Sequence, residues 1–217
     1  PKRAEARAPG SFIAPRPFAE TSPGRRPGRA CALVRVVGCL LAALLLPWAA
    51  GAATLHVWQD SPNPEPPFAT WETAARVLQE AADAAQSGDT VLVTNGVYAT
   101  GGRLVQGEVL NRMAIPPGVV VQSVAGPEVT IIEGAPGLPP AGATNKYIGN
   151  GEGAVRCAHL GRDAVLAGFT LRNGRTRTQG LYDWDQSGGA VWCESRGQVV
   201  KCVLTNNAAH HLGGGSF

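Results

Sequence analysis

Two short segments recur in the same order, and this repetition constrains the fold more than any other feature of the sequence. Residues 153–157 (GAVRC) recur 36 positions later as residues 189–193 (GAVWC). Residues 169–173 (FTLRN) recur 33 positions later as residues 202–206 (CVLTN), which predicts a loop three residues shorter in the second copy. A period of this length is typical of a solenoid, in which each unit buries its apolar face only by stacking on its neighbours. A third unit opens at residues 213–217.

The first repeat predicts which side chains face outward. Arg156 and Trp192 occupy equivalent positions in it, and an unpaired arginine is not expected inside the narrow core of a solenoid. We therefore expect Trp192 to point outward, where its loss leaves folding little changed. By alternation the flanking residues point inward, namely Val155, Cys157, Val191 and Cys193.

The second repeat predicts a further inward column and a polar turn. Phe169 is expected over Cys202, and Leu171 over Leu204. Asn173 over Asn206 is then expected to form an asparagine ladder.

A helical pattern precedes the repeats. Apolar residues recur at helical spacing across residues 70–85, with Thr70 and Thr73 as candidate capping residues, and the pattern stops at Ser87 and Gly88. Alternating valines and an Asn-Gly turn follow in residues 88–98 (GDTVLVTNGVY). The sequence therefore predicts one helix that leads directly into a strand.

The helix followed by GDTVLVTNGVY, together with residues 126–134 (GPEVTIIEG), resembles the start of right-handed parallel β-helix proteins of the pectin lyase-like superfamily. The resemblance implies an all-β fold, a right-handed parallel β-helix with a short N-terminal capping α-helix. Residues 53–217 would form the cap and the first coils, with the chain stopping inside a repeat. The content of 28 Gly, 17 Pro and only 16% charged residues also favours a turn-rich β architecture.

The charge distribution argues against a nucleic-acid partner. Residues 1–52 hold eight of the nineteen basic residues and two of the sixteen acidic ones. From Ala53 onward the balance is eleven basic against fourteen acidic residues, so the clustered basic face of a nucleic-acid-binding protein is not expected.

The N-terminal region predicts export. Residues 1–29 are rich in Pro, Arg and Gly and indicate a disordered or mis-started leader. Residues 30–52 combine a basic residue, an eleven-residue apolar core at 36–46 and the small residues Ala50, Gly51 and Ala52, which favours a secretory signal peptide. The alternative is a membrane anchor, but the core is shorter than the roughly 20 residues that a bilayer crossing needs. We therefore expect no stable membrane span after cleavage, and a secreted or cell-surface protein.

An insertion in the first repeat supplies the candidate site. Residues 175–187 (RTRTQGLYDWDQS) are expected to loop outward from the stack. Aromatic rings and carboxylates together are the mixture with which sugar sites stack on rings and bind hydroxyls. The candidate carbohydrate-binding residues are thus Tyr182, Asp183, Trp184 and Asp185, with Trp192 beside them. The alternative is a loop whose aromatics cover the coil beneath.

Three functions fit this sequence. The lyase and hydrolase members of the superfamily carry carboxylate clusters with an arginine base, or Asn-Thr-Asp, Asp-Asp and Gly-His-Gly signatures, and none of these occurs here. His56 and His159 are isolated in the sequence. A non-catalytic adhesive or structural surface protein, or one that binds a polysaccharide or cell-surface glycan, is therefore favoured over the start of a lyase or glycoside hydrolase acting on acidic polysaccharide. No cofactor is indicated, and calcium, which the resemblance leaves open, has no supporting motif.

The signal peptide gives a first prediction. We expect cleavage after Ala52 or within a residue or two of it, because the small-residue pattern ends there. Edman sequencing of exported protein tests this expectation. A mature protein that retains the apolar residues 41–46 would contradict it.

Overall fold

The computed structural model describes residues 51–142 and 149–216. The predicted leader and all but the last two residues of the predicted signal peptide lie outside the described residues. Two short helices are present within them, α1 (Leu78–Ala84) and α2 (Tyr182–Gln186). The strands are β1 (Thr54–Val57), β2 (Thr90–Val93), β3 (Gly96–Tyr98), β4 (Leu110–Ile115), β5 (Val120–Ser123), β6 (Thr130–Glu133), β7 (Val155–Leu160), β8 (Val165–Ala167), β9 (Thr170–Arg172), β10 (Val191–Cys193), β11 (Gln198–Val200) and β12 (Val203–Thr205).

The strands form three sheets in which every pair of neighbours is parallel. The first sheet has the order β1-β2-β5-β8-β11, the second β4-β7-β10 and the third β3-β6-β9-β12. From β4 onward the chain visits the second, first and third sheets in that order and then repeats the cycle. The prediction of an all-β protein is confirmed at this level.

The strand register corrects the alignment of the first repeat. Val191 pairs with Ala158 and Trp192 pairs with His159, so Trp192 is not equivalent to Arg156. The same offset of 33 residues joins Val165 to Gln198 in the first sheet and Thr170 to Val203 in the third. One offset therefore serves all three sheets, and the second copy has no shortened loop.

The core lies between the inward faces of the three sheets. Its side chains stack in columns across neighbouring strands because parallel partners in register present the same face. One column runs through Leu55, Val91, Val121 and Leu166, and another through Tyr98, Ile132 and Leu171. The predicted stacking of Leu171 on Leu204 is confirmed.

The predicted asparagine ladder is also present. Nδ2 of Asn206 donates to Oδ1 of Asn173 over 2.6 Å. Both residues have positive φ, 59° and 51°, which asparagine tolerates better than most residues. The ladder therefore fixes the same turn after β9 and after β12.

Helix α1 is shorter than the sequence pattern predicts. Residues 70–77 are not helical, because the backbone N–H of Ala75 donates to His56 O and its carbonyl accepts from Trp58 N, which pairs this stretch with β1. Thr70 and Thr73 bond to each other rather than capping the helix. Helix α1 covers the free edge of β4, where the Gln79 side chain accepts from Ala114 N over 2.7 Å.

Strand β12 forms an open edge of the third sheet. No strand lies beyond β12 among the residues described in the structure. There Val203 is 49% exposed and Leu204, at the end of a core column, is 37% exposed. Open apolar edges of this kind favour pairing with another chain.

We expect residues 53–217, expressed alone, to self-associate through this edge. Val203→Lys should reduce association, because a charge on an edge strand opposes pairing. Sedimentation velocity over a range of concentrations measures the effect, with Val129→Lys as the matched control, since Val129 is 46% exposed but lies outside the strands. A monomeric parent at every concentration would contradict the expectation.

Candidate functional site

The inserted loop, residues 175–187, packs on the outer face of the second sheet. We use "outer face" for the side of this sheet that points away from the core and carries Asn111, Arg156, His159 and Trp192. The core contains Ala158, Leu160 and Val191, which flank His159 and Trp192 in the sequence. Helix α2 lies within the loop and brings the predicted site residues over this face.

Arg156 anchors the loop. The sequence analysis expected its position to be exposed, but Arg156 is only 1% exposed. Its guanidinium donates to the carbonyls of Trp184, Ser187 and Gly188 over 2.6–2.8 Å, and to Oδ1 of Asn111 over 2.8 Å. Burial lowers the pKa of Arg156 to about 10, which still leaves it cationic at neutral pH. The arginine lies outside the core and is buried by the loop that it binds.

Asp185 is a second anchor. It is 1% exposed, and its carboxylate accepts from the backbone N–H groups of Glu108, Val109 and Leu181 over 2.6–2.9 Å. Gly107 has positive φ and passes so close to this carboxylate that a Cβ would collide with it. The prediction of Asp185 as a sugar ligand is therefore corrected, because backbone groups occupy its carboxylate.

The aromatic residues of the predicted site form a stack. The rings of Trp184 and Trp192 lie 4.0 Å apart between centroids with an interplanar angle of 25°. The imidazole of His159 is parallel to Trp192 within 3° at 5.2 Å, as expected for neighbours on adjacent strands. Trp192 is thus only 9% exposed. It lies on the outer face, where Trp184 and His159 contact it, so its loss should affect folding more than the repeat predicts.

The other predicted residues differ in accessibility. Trp184 is half-buried, while Asp183 is exposed. Tyr182 begins α2, and its side chain lies outside the described residues. The structure therefore brings Trp184 and Trp192 together and leaves Asp183 at the surface.

A groove opens beside the stack. Its volume is about 260 Å³, and its apolar walls include Leu104, Val105, Pro116 and Pro117. Three polar side chains also line it, those of Arg103, His159 and Glu194. His159 is a member of both the groove and the stack, so the two features form one continuous surface.

His159 is the functional candidate that the sequence analysis missed. It is 3% exposed, and its Nε2 lies 3.8 Å from Oε1 of Glu194 without a hydrogen bond to any described residue. Burial, with the charge of Arg156 as the second cause, lowers the pKa of His159 to about 4. The offset of 33 residues in the second repeat could have identified His159 from the sequence, because it places His159 beside Trp192.

A second pocket of about 270 Å³ lies near Leu138, Glu152 and Arg177. Arg177 binds the carboxylates of Glu108 and Glu152 there, each over 2.8 Å. Residues 143–148, which join its two sides in sequence, lie outside the described residues. We therefore place the candidate site at the groove.

Comparisons with protein-family models, with curated proteins and with solved structures give no match for this chain. The described residues contain no group of three or more His, Cys, Asp or Glu side chains placed to hold a metal ion. Among residues 51–142 and 149–216, no helix is long and apolar enough to cross a membrane. The candidate site is therefore argued from its own geometry.

We expect Arg156→Ala to lower the free energy of unfolding by about 3 kcal/mol or more, because it leaves several buried carbonyls unpaired. Urea unfolding measures the loss, and limited proteolysis should show faster cleavage within residues 175–187. Arg162→Ala is the matched control, since Arg162 is exposed. Equal stability of the two variants would contradict the anchoring role of Arg156.

Proposed function

We propose that this chain belongs to an exported, right-handed parallel β-helix protein that binds carbohydrate on the outer face of its second sheet. Binding rather than catalysis is proposed. The aromatic stack, which shares His159 with the largely apolar groove, is the observation that carries this proposal.

The strand order supports the β-helix. The chain visits three parallel sheets in a repeating cycle, and a single offset of 33 residues relates the last two cycles. Stacked asparagines at equivalent turns are a further feature expected of coils of equal length. A right-handed coil is proposed because crossover connections between parallel strands are almost always right-handed.

The groove supports carbohydrate binding. Sugar rings present apolar C–H faces and a rim of hydroxyl groups, so their sites combine aromatic or apolar surfaces with a few polar groups. Trp184, a half-buried residue, offers an aromatic ring beside the groove. His159 and Glu194 offer polar atoms among the apolar walls of the groove.

The stack also fits the structural alternative, in which the loop only covers the sheet. Trp192 is buried against other rings, and Arg156 and Asp185 serve the loop itself. The role of Trp184, which is only half-buried, distinguishes the two functions. A purely structural ring should be replaceable by another apolar side chain, whereas a binding ring should not.

We expect Trp184→Leu to weaken retention on polysaccharide affinity gels about fivefold, because one stacking ring contributes about 1 kcal/mol to binding. Leucine keeps an apolar group over Trp192, so the free energy of unfolding should fall by no more than about 1.5 kcal/mol, the stacking contribution of a ring pair. Trp71→Leu is the matched control, because Trp71 is 37% exposed and contacts His56, on β1 of the first sheet.

Two results would contradict the proposal. The first is unchanged retention of Trp184→Leu on every gel that retains the parent. The second is a parent protein that no polysaccharide gel retains.

A further inference from the structure

His159 and Glu194 form a pair of hydrogen-bond acceptors in the groove. The carboxylate of Glu194 can only accept hydrogen bonds. Its Oε2 accepts from the backbone N–H of Arg162 over 3.1 Å, which holds the carboxylate in place. Its Oε1 is 3.8 Å from Nε2 of His159, too far for a direct hydrogen bond.

The imidazole of His159 is neutral and presents a lone pair at Nε2. The lowered pKa keeps the ring uncharged at neutral pH, and a hydrogen bond from the ring to the backbone of His159 itself acts in the opposite direction. Nε2 has no hydrogen-bond partner among the described residues, so it offers a free lone pair in the tautomer that carries the proton on Nδ1. Two acceptor atoms therefore face each other in the groove.

A ligand group between two acceptors must bring hydrogen atoms. Hydroxyl and ammonium groups do so, whereas a carboxylate would face Glu194 with like charge. The nearest compensating cation on the groove wall, Arg103, is already bound to Asp83 over 2.7 Å. The charges around the groove therefore disfavour an acidic ligand.

We propose that the His159–Glu194 pair binds the hydroxyl or ammonium hydrogens of a neutral or amino sugar, and that this groove discriminates against acidic sugars. The proposal rests on the carbohydrate binding proposed above and names its ligand class. It places the polar contact at two residues that the inserted loop does not contain.

Isothermal titration calorimetry on the exported protein tests the proposal with three soluble probes: cello-oligosaccharides, glucosamine oligomers and oligogalacturonate. Glu194→Gln replaces one carboxylate oxygen with an amide, and should weaken binding of the neutral or amino probe about tenfold. His159→Phe keeps a ring against Trp192 but removes the Nε2 acceptor, and should weaken binding about threefold. Glu128→Gln is the matched control, since Glu128 is exposed and does not line the groove.

The probes also identify the donor. An effect of Glu194→Gln on both the neutral and the amino oligomers supports hydroxyl recognition, and an effect on the glucosamine oligomers alone supports ammonium recognition. Imidazole ¹⁵N shifts of the parent give a second measurement, which holds even where His159→Phe fails to fold. The Nε2 signal should be that of an unprotonated nitrogen and should move when the sugar is added.

Several results would overturn the proposal. Tighter binding of oligogalacturonate than of both other probes would reverse the ligand class. Parental affinity in both groove variants, with weaker binding in Trp184→Leu, would overturn the acceptor pair and leave carbohydrate binding intact. A parent that binds no probe and no polysaccharide gel would overturn both proposals together.

Discussion

The buried guanidinium of Arg156 is the interaction on which the candidate site depends. Removing a cation from water is costly unless hydrogen bonds replace its hydration, and here four acceptors do so. Three of the acceptors are carbonyls at or just after α2, where a helix has unpaired oxygens. Whereas Arg156 donates to backbone carbonyls, Asp185 accepts hydrogen bonds from backbone N–H groups. Two buried charges of opposite sign thus satisfy the two kinds of backbone group that a loop without sheet pairing exposes.

The position of the loop then determines which rings are accessible. Because the carbonyl of Trp184 is held by Arg156, its indole is fixed over Trp192 at a centroid distance of 4.0 Å. Pairs of stacked rings contribute about 0.5–1.5 kcal/mol beyond their burial, so the stack reinforces the anchor. Trp184 is only half-buried, and His159 extends the stack into the groove. The contacts of Trp184 with Arg156 and Trp192 therefore cover the outer face over Arg156. Beside Glu194 the outer face remains open.

The sequence predicts the parts of this structure that depend on local pattern. Alternating apolar residues give the parallel sheets and the Leu171–Leu204 column, and the Asn173–Asn206 turn follows from its spacing. The predicted alignment of the first repeat is wrong. It matches the identical residues Gly-Ala-Val and Cys at an offset of 36 residues, whereas the hydrogen-bonded strands pair residues that are 33 apart. A pattern of polar and apolar residues also does not show which carbonyls will surround a buried arginine. The roles of Arg156 and Asp185 depend on contacts between distant segments, as between Asp185 and Val109, and spacing alone does not reveal them.

The loop anchor and the acceptor pair are electrostatically connected through His159. Its imidazole lies between a buried cation, which disfavours protonation, and the carboxylate of Glu194, which favours it. Glu194 is one-third exposed, so solvent screens its charge, whereas burial and the desolvated Arg156 act without that screening. Burial and Arg156 prevail, and the pKa of His159 falls rather than rises. The arginine that binds the loop therefore also helps to keep Nε2 an acceptor, and the shape of the outer face and the hydrogen-bonding character of its groove share one cause.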